Sequence, residues 1–225
     1  MSGIKRVGVI STSVLSILAI AYGLFLSSIV ADVAAQDASP EASPSAVAAM
    51  TLTLDAEQSF ARYIAQEELT GSGAQEVIGE TQAIQGTLLF DEAWMPVAGS
   101  RIDVDMRTLV SPEARRDNYL YDNVLETGDF PLSTFISTGT EGLESGLVDG
   151  EETIFTLVGD LTLHGVTNEA KWDVTATLNG ETVTGTATTT FVLTDYEMEK
   201  PIVGPVISID DNIVLQMDVV AVPAA

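Results

Sequence analysis

The amino-acid sequence predicts an all-β fold, a closed barrel or a sandwich of about eight antiparallel strands with one short helix. Three observations predict it. From Met50 onward apolar and polar residues alternate with a period of two, signals for tight turns separate the alternating stretches, and only one stretch looks helical. The 225 residues suffice for one domain of ordinary size plus appendages.

The first 35 residues predict either a secretory signal peptide or a membrane anchor. Lys5 and Arg6 precede the uncharged stretch from Val7 to Ala31, and a helix of these 25 residues would be long enough to cross a bilayer. The basic flank places the N-terminus in the cytoplasm and the remainder outside. Small residues near Ala35 suit cleavage, whereas the length of the stretch favours an uncleaved anchor. Both alternatives predict an exported protein, tethered to the membrane if the helix is not cleaved.

Composition excludes several classes of protein. The formal net charge is −24, and such a field repels phosphate backbones, so we expect no nucleic-acid partner. The sequence has no Cys, which removes disulfides and thiol nucleophiles from consideration. Residues 36–49 are rich in Ala, Ser and Pro and predict a linker, and residues 50–222 hold enough apolar side chains for a core.

The alternating stretches predict the strands one after another. The first strands are expected near residues 51–54, 59–67 and 83–91, followed by residues 101–108, where Ile102 and Val104 alternate with charged residues. Another is expected near 132–139, and the most regular alternation lies in residues 153–165, 171–178, 181–193 and 212–222. Asn179 and Gly180 predict a tight hairpin turn between two of these.

Residues 111–125, SPEARRDNYLYDNVL, predict the one helix. Ser111 suits the N-cap, Pro112 the first turn and Glu113 the positive helix end. Two adjacent arginines are conspicuous in so acidic a chain. Arg116 helps to fix the helix across one mouth of the barrel, or Arg115 or Arg116 contacts the polar head of a ligand, or the arginines contact a partner protein.

Small residues occur on strand faces that otherwise carry large apolar side chains, namely Gly86, Gly159, Gly185 and Ala187. They indicate either barrel curvature or side-chain volume left out to keep a lumen open. The two interpretations are compatible.

Four segments resemble a known family when they are taken in order: GTLLFD (86–91), RRDNYLYDNVLETGDFP (115–131), STFIST (133–138) and LVGDLTLHGVTNEAKWDV (157–174). Over residues 50–222 the chain is similar to the YceI-like family of exported polyisoprenoid-binding proteins. The resemblance implies an eight-stranded antiparallel barrel like that of lipocalins, with a short helix and an apolar lumen. Many relatives carry a His in the first long strand, where this chain has Tyr63 and Glu67.

The expected ligand is an isoprenoid lipid of the polyprenyl or quinone type. We expect the lumen to be lined by apolar side chains from the alternating strands, with an arginine at its mouth: Phe155, Leu157, Leu161, Trp172, Val174, Phe191, Leu215, Met217 and Arg116. No catalytic residue, metal or cofactor is predicted. His164, the one His, has no metal-ligating or nucleophilic partner in the pattern and is expected to form hydrogen bonds in a turn.

The sequence is therefore compatible with three functions. The first is an exported or membrane-tethered protein that binds a lipid. The second is a structural or interaction protein of the cell envelope, whose barrel is filled by its own side chains. The third is a lipid-modifying enzyme, which the absence of a catalytic motif disfavours. Each of the three functions is compatible with a homodimer.

Overall fold

The barrel wall is one antiparallel sheet, to which eleven strands of the described residues contribute. The computed structural model describes residues 48–202, 204 and 206–224. The predicted signal or anchor segment and the predicted linker up to residue 47 lie outside these residues. Among the helices that are described, none is long and apolar enough to span a membrane. The strands are β1 (Met50–Leu54), β2 (Phe60–Leu69), β3 (Gly73–Thr81), β4 (Ile84–Phe90), β5 (Arg101–Asp105), β6 (Leu132–Glu141), β7 (Glu152–Leu163), β8 (Val166–Asn179), β9 (Thr182–Val192), β10 (Val206–Ile209) and β11 (Asn212–Pro223).

The sheet closes on itself with eight positions around the ring. The hydrogen-bonded order is β1-β4-β5-β6-β7-β8-β9-β11, and β11 pairs back with β1. β2 also pairs with β11, and β3 pairs with β2, so these two strands extend the walls begun by β1 and β4. The predicted eight-stranded antiparallel barrel is thereby confirmed.

Eleven strands fill eight positions because three positions of the ring are each shared by two strands. These pairs are β1 with β2, β3 with β4, and β10 with β11. β1 and β2 pair with different parts of β11, and Ser59 occupies the break between them. The Ser59 side chain is fully buried, and its hydroxyl accepts a hydrogen bond from the Val220 amide at 3.1 Å. Between β3 and β4, the Thr81 hydroxyl likewise accepts from the Ala83 amide at 2.9 Å. Side chains therefore satisfy backbone groups where the ladders are broken.

The helix α1 (Ala114–Asn123) is the one α-helix of the described residues, as the sequence predicted. Its N-cap is Glu113, whose side chain accepts from the Arg115 amide, so the prediction that Ser111 is the cap is wrong. Ser111 instead donates its hydroxyl to the buried carboxylate of Asp117 at 2.6 Å, and its amide donates to the same carboxylate at 3.0 Å. Asp117 thus ties the incoming chain to the first turn of the helix.

The alternating faces of the sequence face the interior as predicted. On β8 the side chains of Trp172, Val174, Ala176 and Leu178 are buried, and those between them are more exposed. The predicted hairpin also forms, but one residue later than the sequence indicated. Asn179 pairs with Thr182, so the central residues are Gly180, with φ +64°, and the residue after it. A glycine is suited to the first central position because that position requires positive φ.

Two strands were not predicted from the sequence, β3 and β10. The β3 segment is flanked by glycines and carries acidic residues on the exposed face, so its apolar face consists only of Val77, Gly79 and Thr81. β10 has four residues and pairs with the end of β2. Neither stretch is long or regular enough for the period-two pattern to stand out.

Gly159 allows close packing inside the barrel. A Cβ atom on Gly159 would lie 2.3 Å from the carbonyl oxygen of Ile136 and 2.6 Å from the ring of Phe135. At Gly86 the same atom would lie 2.4 Å from the carbonyl oxygen of Arg101. Both distances are far below van der Waals contact. These glycines therefore permit the close approach of neighbouring strands and side chains, in agreement with the curvature interpretation.

We predict that Gly159→Ala destabilises the protein by about 1–3 kcal/mol, because the added methyl group overpacks the contact with Phe135 and the neighbouring strand. The measurement is the free energy of unfolding in denaturant. Gly139→Ala is the matched control, since a Cβ there meets no atom within 4 Å, and we expect its effect to stay within about 0.5 kcal/mol. Equal stability of the two variants would contradict the prediction.

Candidate ligand-binding cavity

A cavity of about 1000 Å³ lies in the half of the barrel next to α1. Most of its lining is apolar and comes from the inward faces of β2, β5, β7, β8, β9 and β11 and from α1 and its flanks. Charged groups contribute where α1 approaches β2. The lining includes Ala61, Tyr63, Ala65, Glu67, Ile102, Met106, Arg115, Arg116, Leu120, Phe135, Leu161, Trp172, Phe191, Met198, Ile213, Leu215 and Met217.

The interior is open in the half next to α1 and filled in the half next to the β8–β9 hairpin. β2 presents the small residues Ala61 and Ala65 to the cavity. Trp172 marks the far limit of the space, with its indole 5.7 Å from the Phe135 ring in an edge-to-face arrangement. Beyond it, toward the β8–β9 hairpin, Leu178 and Val183 are buried in the core and do not line the cavity.

The structure brings six of the nine predicted site residues together around this cavity: Leu161, Trp172, Phe191, Leu215, Met217 and Arg116. The other three do not line it. Phe155 pairs with Val174 and Leu157 pairs with Trp172 in the β7–β8 ladder, so these three lie at or beyond the level of the indole. All three contribute to the packed core or contact it. The four small residues of the sequence analysis, Gly86 among them, do not line the cavity either.

Sequence reasoning missed the contribution of β2 to the cavity, and from α1 it included Arg116 alone. Residues 61, 63, 65 and 67 alternate inward, and this pattern was present in the sequence. The position of Leu120 and Met198 over the same space depends on how α1 and the segment after β9 fold back over the barrel. No local pattern reveals such a contact.

Arg116 is held by an ion pair. One of its guanidinium nitrogens lies 2.6 Å from a carboxylate oxygen of Glu67, whose side chain is only 5% exposed. This bond joins α1 to β2 and gives Glu67 a counter-charge inside the barrel. It favours the interpretation in which Arg116 fixes the helix. Arg115, the exposed neighbour, forms no ion pair with any described residue and also lines the cavity.

The indole nitrogen of Trp172 is buried without a hydrogen-bond partner among the described residues, and the buried hydroxyl of Tyr63 lies beside Ser111 and Asp117 at the start of α1. The Tyr63 ring lies across Gly79, where a Cβ atom would be 2.0 Å from it. Burial, reinforced by the charge of Asp117, raises the pKa of Tyr63 to about 12.

A second, polar cavity of about 730 Å³ lies between β8 and β9. The ladder between these strands stops at the pair of Asp173 and Thr188. Beyond that point the Thr189 hydroxyl donates to the carbonyl of Lys171 at 2.8 Å. Leu161 and Phe191 line both cavities, so they separate the apolar space from this cleft.

His164 lies in the β7–β8 turn, as predicted, with φ +51°. Its Nδ1 lies 3.1 Å from the carbonyl oxygen of Tyr196, and its Nε2 lies 2.8 Å from a carboxylate oxygen of Glu126. Contacts on both sides of the ring thus hold His164 in a structural role between this turn, Tyr196 and Glu126. His164 does not line the apolar cavity, and the described residues contain no cluster of three or more potential metal ligands.

Comparison with known proteins agrees with this architecture. The model of the YceI-like domain matches residues 52–221. The chain belongs to the YceI-like family. A UPF0312 protein of Pseudomonas putida strain W619 is 32% identical over 138 residues, which cover 57% of this YceI-like chain and 67% of the relative. A UPF0312 protein of Pseudomonas syringae pv. tomato is 37% identical over 99 residues, 43% of this chain and 46% of the relative.

Solved structures of low sequence identity share the fold of this YceI-like protein. A polyisoprenoid-binding domain from Saccharophagus degradans superposes with a TM-score of 0.63 at 15% identity, covering 78% of this chain and 99% of that domain. BcnA from Burkholderia cenocepacia superposes with a TM-score of 0.57 at 15% identity, covering 74% of this chain and 98% of BcnA.

We predict that the two adjacent arginines of this YceI-like protein differ in their effect on stability. Arg116→Ala leaves the buried carboxylate of Glu67 without a counter-charge and should cost about 3 kcal/mol. Arg115→Ala is the control and should cost less than about 0.5 kcal/mol. Denaturant unfolding of both variants measures the difference.

A double variant separates loss of the ion pair from loss of packing. Glu67→Gln combined with Arg116→Ala removes the uncompensated charge, so it should be more stable than Arg116→Ala alone. If Arg115→Ala and Arg116→Ala were equally stable, the structural role of Arg116 would be refuted.

Proposed function

We propose that this protein binds an isoprenoid lipid, of the polyprenyl or quinone type, in the apolar cavity of the barrel, and that it is not an enzyme. The observation that carries the proposal is the apolar cavity of about 1000 Å³, which barrel walls and α1 surround. A water-filled space of this kind exposes Leu, Met, Phe and Trp side chains at a cost, and a hydrocarbon removes that cost.

The energetics need no strong polar contact. Burial of apolar surface contributes about 25 cal/mol per Å², so a tail that loses roughly 400 Å² of exposed surface gains about 10 kcal/mol before the costs of association. The branched and aromatic side chains around the space suit a methyl-branched chain. Membership in the YceI-like family and the fold shared with a polyisoprenoid-binding domain add support.

We further propose that the barrel acts outside the cytoplasm, secreted or tethered through residues 1–35. The support is the basic flank and the uncharged apolar stretch of the sequence. Dimerisation stays a prediction, which a mass measurement in solution tests.

The two alternative functions have less support. A structural protein with a filled barrel agrees poorly with an interior whose small Ala61 and Ala65 leave space beside α1. A lipid-modifying enzyme would require a reactive group at the ligand, and the one His of the sequence is engaged in the β7–β8 turn.

We predict that Ala65→Phe abolishes lipid binding by filling the cavity with an aromatic ring. The matched control is Ala74→Phe, which adds the same ring to an exposed position on the adjacent strand β3. Wild type and Ala74→Phe should retain lipid through purification, detected by organic extraction and mass spectrometry, and Ala65→Phe should not.

Melting temperatures show whether both variants fold. The prediction fails if folded Ala65→Phe carries as much lipid as wild type. The proposed function itself fails if delipidated wild type takes up neither a polyprenol nor a prenylated quinone.

A further inference from the structure

We propose that the ligand enters and leaves the barrel sideways, through a slot in the wall between β8 and β9, and that the Phe191 side chain moves to let it pass. The slot is the polar cleft of about 730 Å³ between these two strands. This inference rests on the proposed function and specifies the route into the same cavity.

A break in the backbone ladder forms the slot. β8 and β9 pair from Asn179 and Thr182 as far as Asp173 and Thr188, and the remaining residues of β9 do not pair with β8. Each strand stays in the sheet through its other neighbour, β8 through β7 and β9 through β11. A part of the wall without cross-strand backbone hydrogen bonds opens more easily than a fully paired part.

Side-chain hydrogen bonds cross the slot near its two ends. Next to the ladder, the Thr189 hydroxyl donates to the carbonyl of Lys171 at 2.8 Å. Farther along, the side-chain amide of Asn168 donates to the carbonyl of Asp195 at 2.7 Å. Both bonds join neutral groups, and such bonds are roughly half as strong as those that involve a charge. The slot therefore widens by breaking neutral side-chain bonds, with the ladders to β7 and β11 intact.

Phe191 and Leu161 form the boundary between the slot and the lumen, because both line the two cavities. Leu161 is only 3% exposed and belongs to the core, whereas Phe191 is half-buried near the end of β9. The Phe191 ring packs edge-on against Tyr196, with the ring centroids 5.4 Å apart. On the β8 side of the slot, the buried residue is the small Ala170. Phe191 is therefore the side chain whose rotation joins the two cavities.

The competing route lies beside α1, where the contacts are stronger. Arg116 is paired with the buried carboxylate of Glu67 at 2.6 Å, and Asp117 accepts from the Ser111 hydroxyl at 2.6 Å. Movement of the helix would break contacts of charged groups inside the protein, and removal of a partner from a buried charge is strongly unfavourable. The contacts across the slot carry no such charge, which favours the sideways route.

A bridge across the slot tests this route. The sequence has no Cys, so two introduced thiols are the only ones in the chain. Lys171→Cys with Thr190→Cys places a thiol on each side of the slot. Thr177→Cys with Thr184→Cys is the matched control, because these positions pair within the intact ladder and line neither cavity. A short reagent that links two thiols then joins β8 to β9, and the protein mass verifies the link.

The probe is a benzoquinone with an isoprenoid tail, followed by stopped-flow quenching of the Trp172 fluorescence beside the cavity. We expect the bridge across the slot to slow uptake and release alike, by about tenfold or more, and to leave the equilibrium affinity unchanged. The bridge in the control should leave both rates unchanged.

Phe191→Ala tests the moving side chain. Loss of the ring should raise the rate of uptake as well as the rate of release. Leu215→Ala is the control, since Leu215 lines the lumen but not the slot. It removes an apolar contact with the ligand and should raise the rate of release alone. Melting temperatures verify that both variants are folded.

Unchanged rates after the slot is bridged, in a protein that still binds the quinone, would refute the inference and place the route beside α1. A bridge that lowers the equilibrium affinity would also contradict it, because a blocked route changes both rates by the same factor. An uptake rate of folded Phe191→Ala equal to that of wild type would refute the role of the ring. If delipidated wild type does not bind the quinone, the proposed function fails and the inference fails with it.

Discussion

The pairing of β11 with both halves of the first wall is the constraint on which the rest of the structure depends. β1 holds the end of β11 and β2 holds its middle, so a sheet that would otherwise have two open edges becomes a ring. Closure satisfies the backbone groups of both edges and encloses the interior. The break at Ser59 lets the wall change direction without leaving the Val220 amide unpaired. An interior shielded from water is the precondition for any apolar ligand site.

Within this ring, a chain of contacts determines where the filled half ends. Gly159 has no side chain, so the Phe135 ring fits against its backbone. Phe135 in turn packs against Trp172, and the indole limits the cavity. Toward α1 the small Ala61 and Ala65 leave the space open. The absence of a side chain at Gly159 thus influences the position of Trp172, which limits the cavity. Gly159 therefore contributes to the shape of the cavity without lining it.

The sequence predicted the fold better than the site. A period of two identifies which face of a strand is buried, and for Trp172 and Leu215 that face proved to line the cavity. The same pattern does not predict how far along the barrel axis a residue lies. Phe155 and Val174 share the inward face but lie in the filled half. The ion-pair partner of Arg116 could not be predicted from the sequence, because Glu67 is 49 positions away and only the folded barrel brings the two residues together.

Affinity and selectivity have different physical origins in a site of this kind. Burial of a hydrocarbon tail is non-directional and proportional to area, so it distinguishes poorly among lipids of similar length. A buried donor without a partner does distinguish them, because a ligand that lacks an acceptor leaves that donor unpaired. The net charge of −24 repels anionic compounds as well, although salt screens charges on the exterior. Under the proposed function, selectivity among isoprenoids therefore has to come from polar groups of the lining, because the apolar surface supplies affinity and little discrimination.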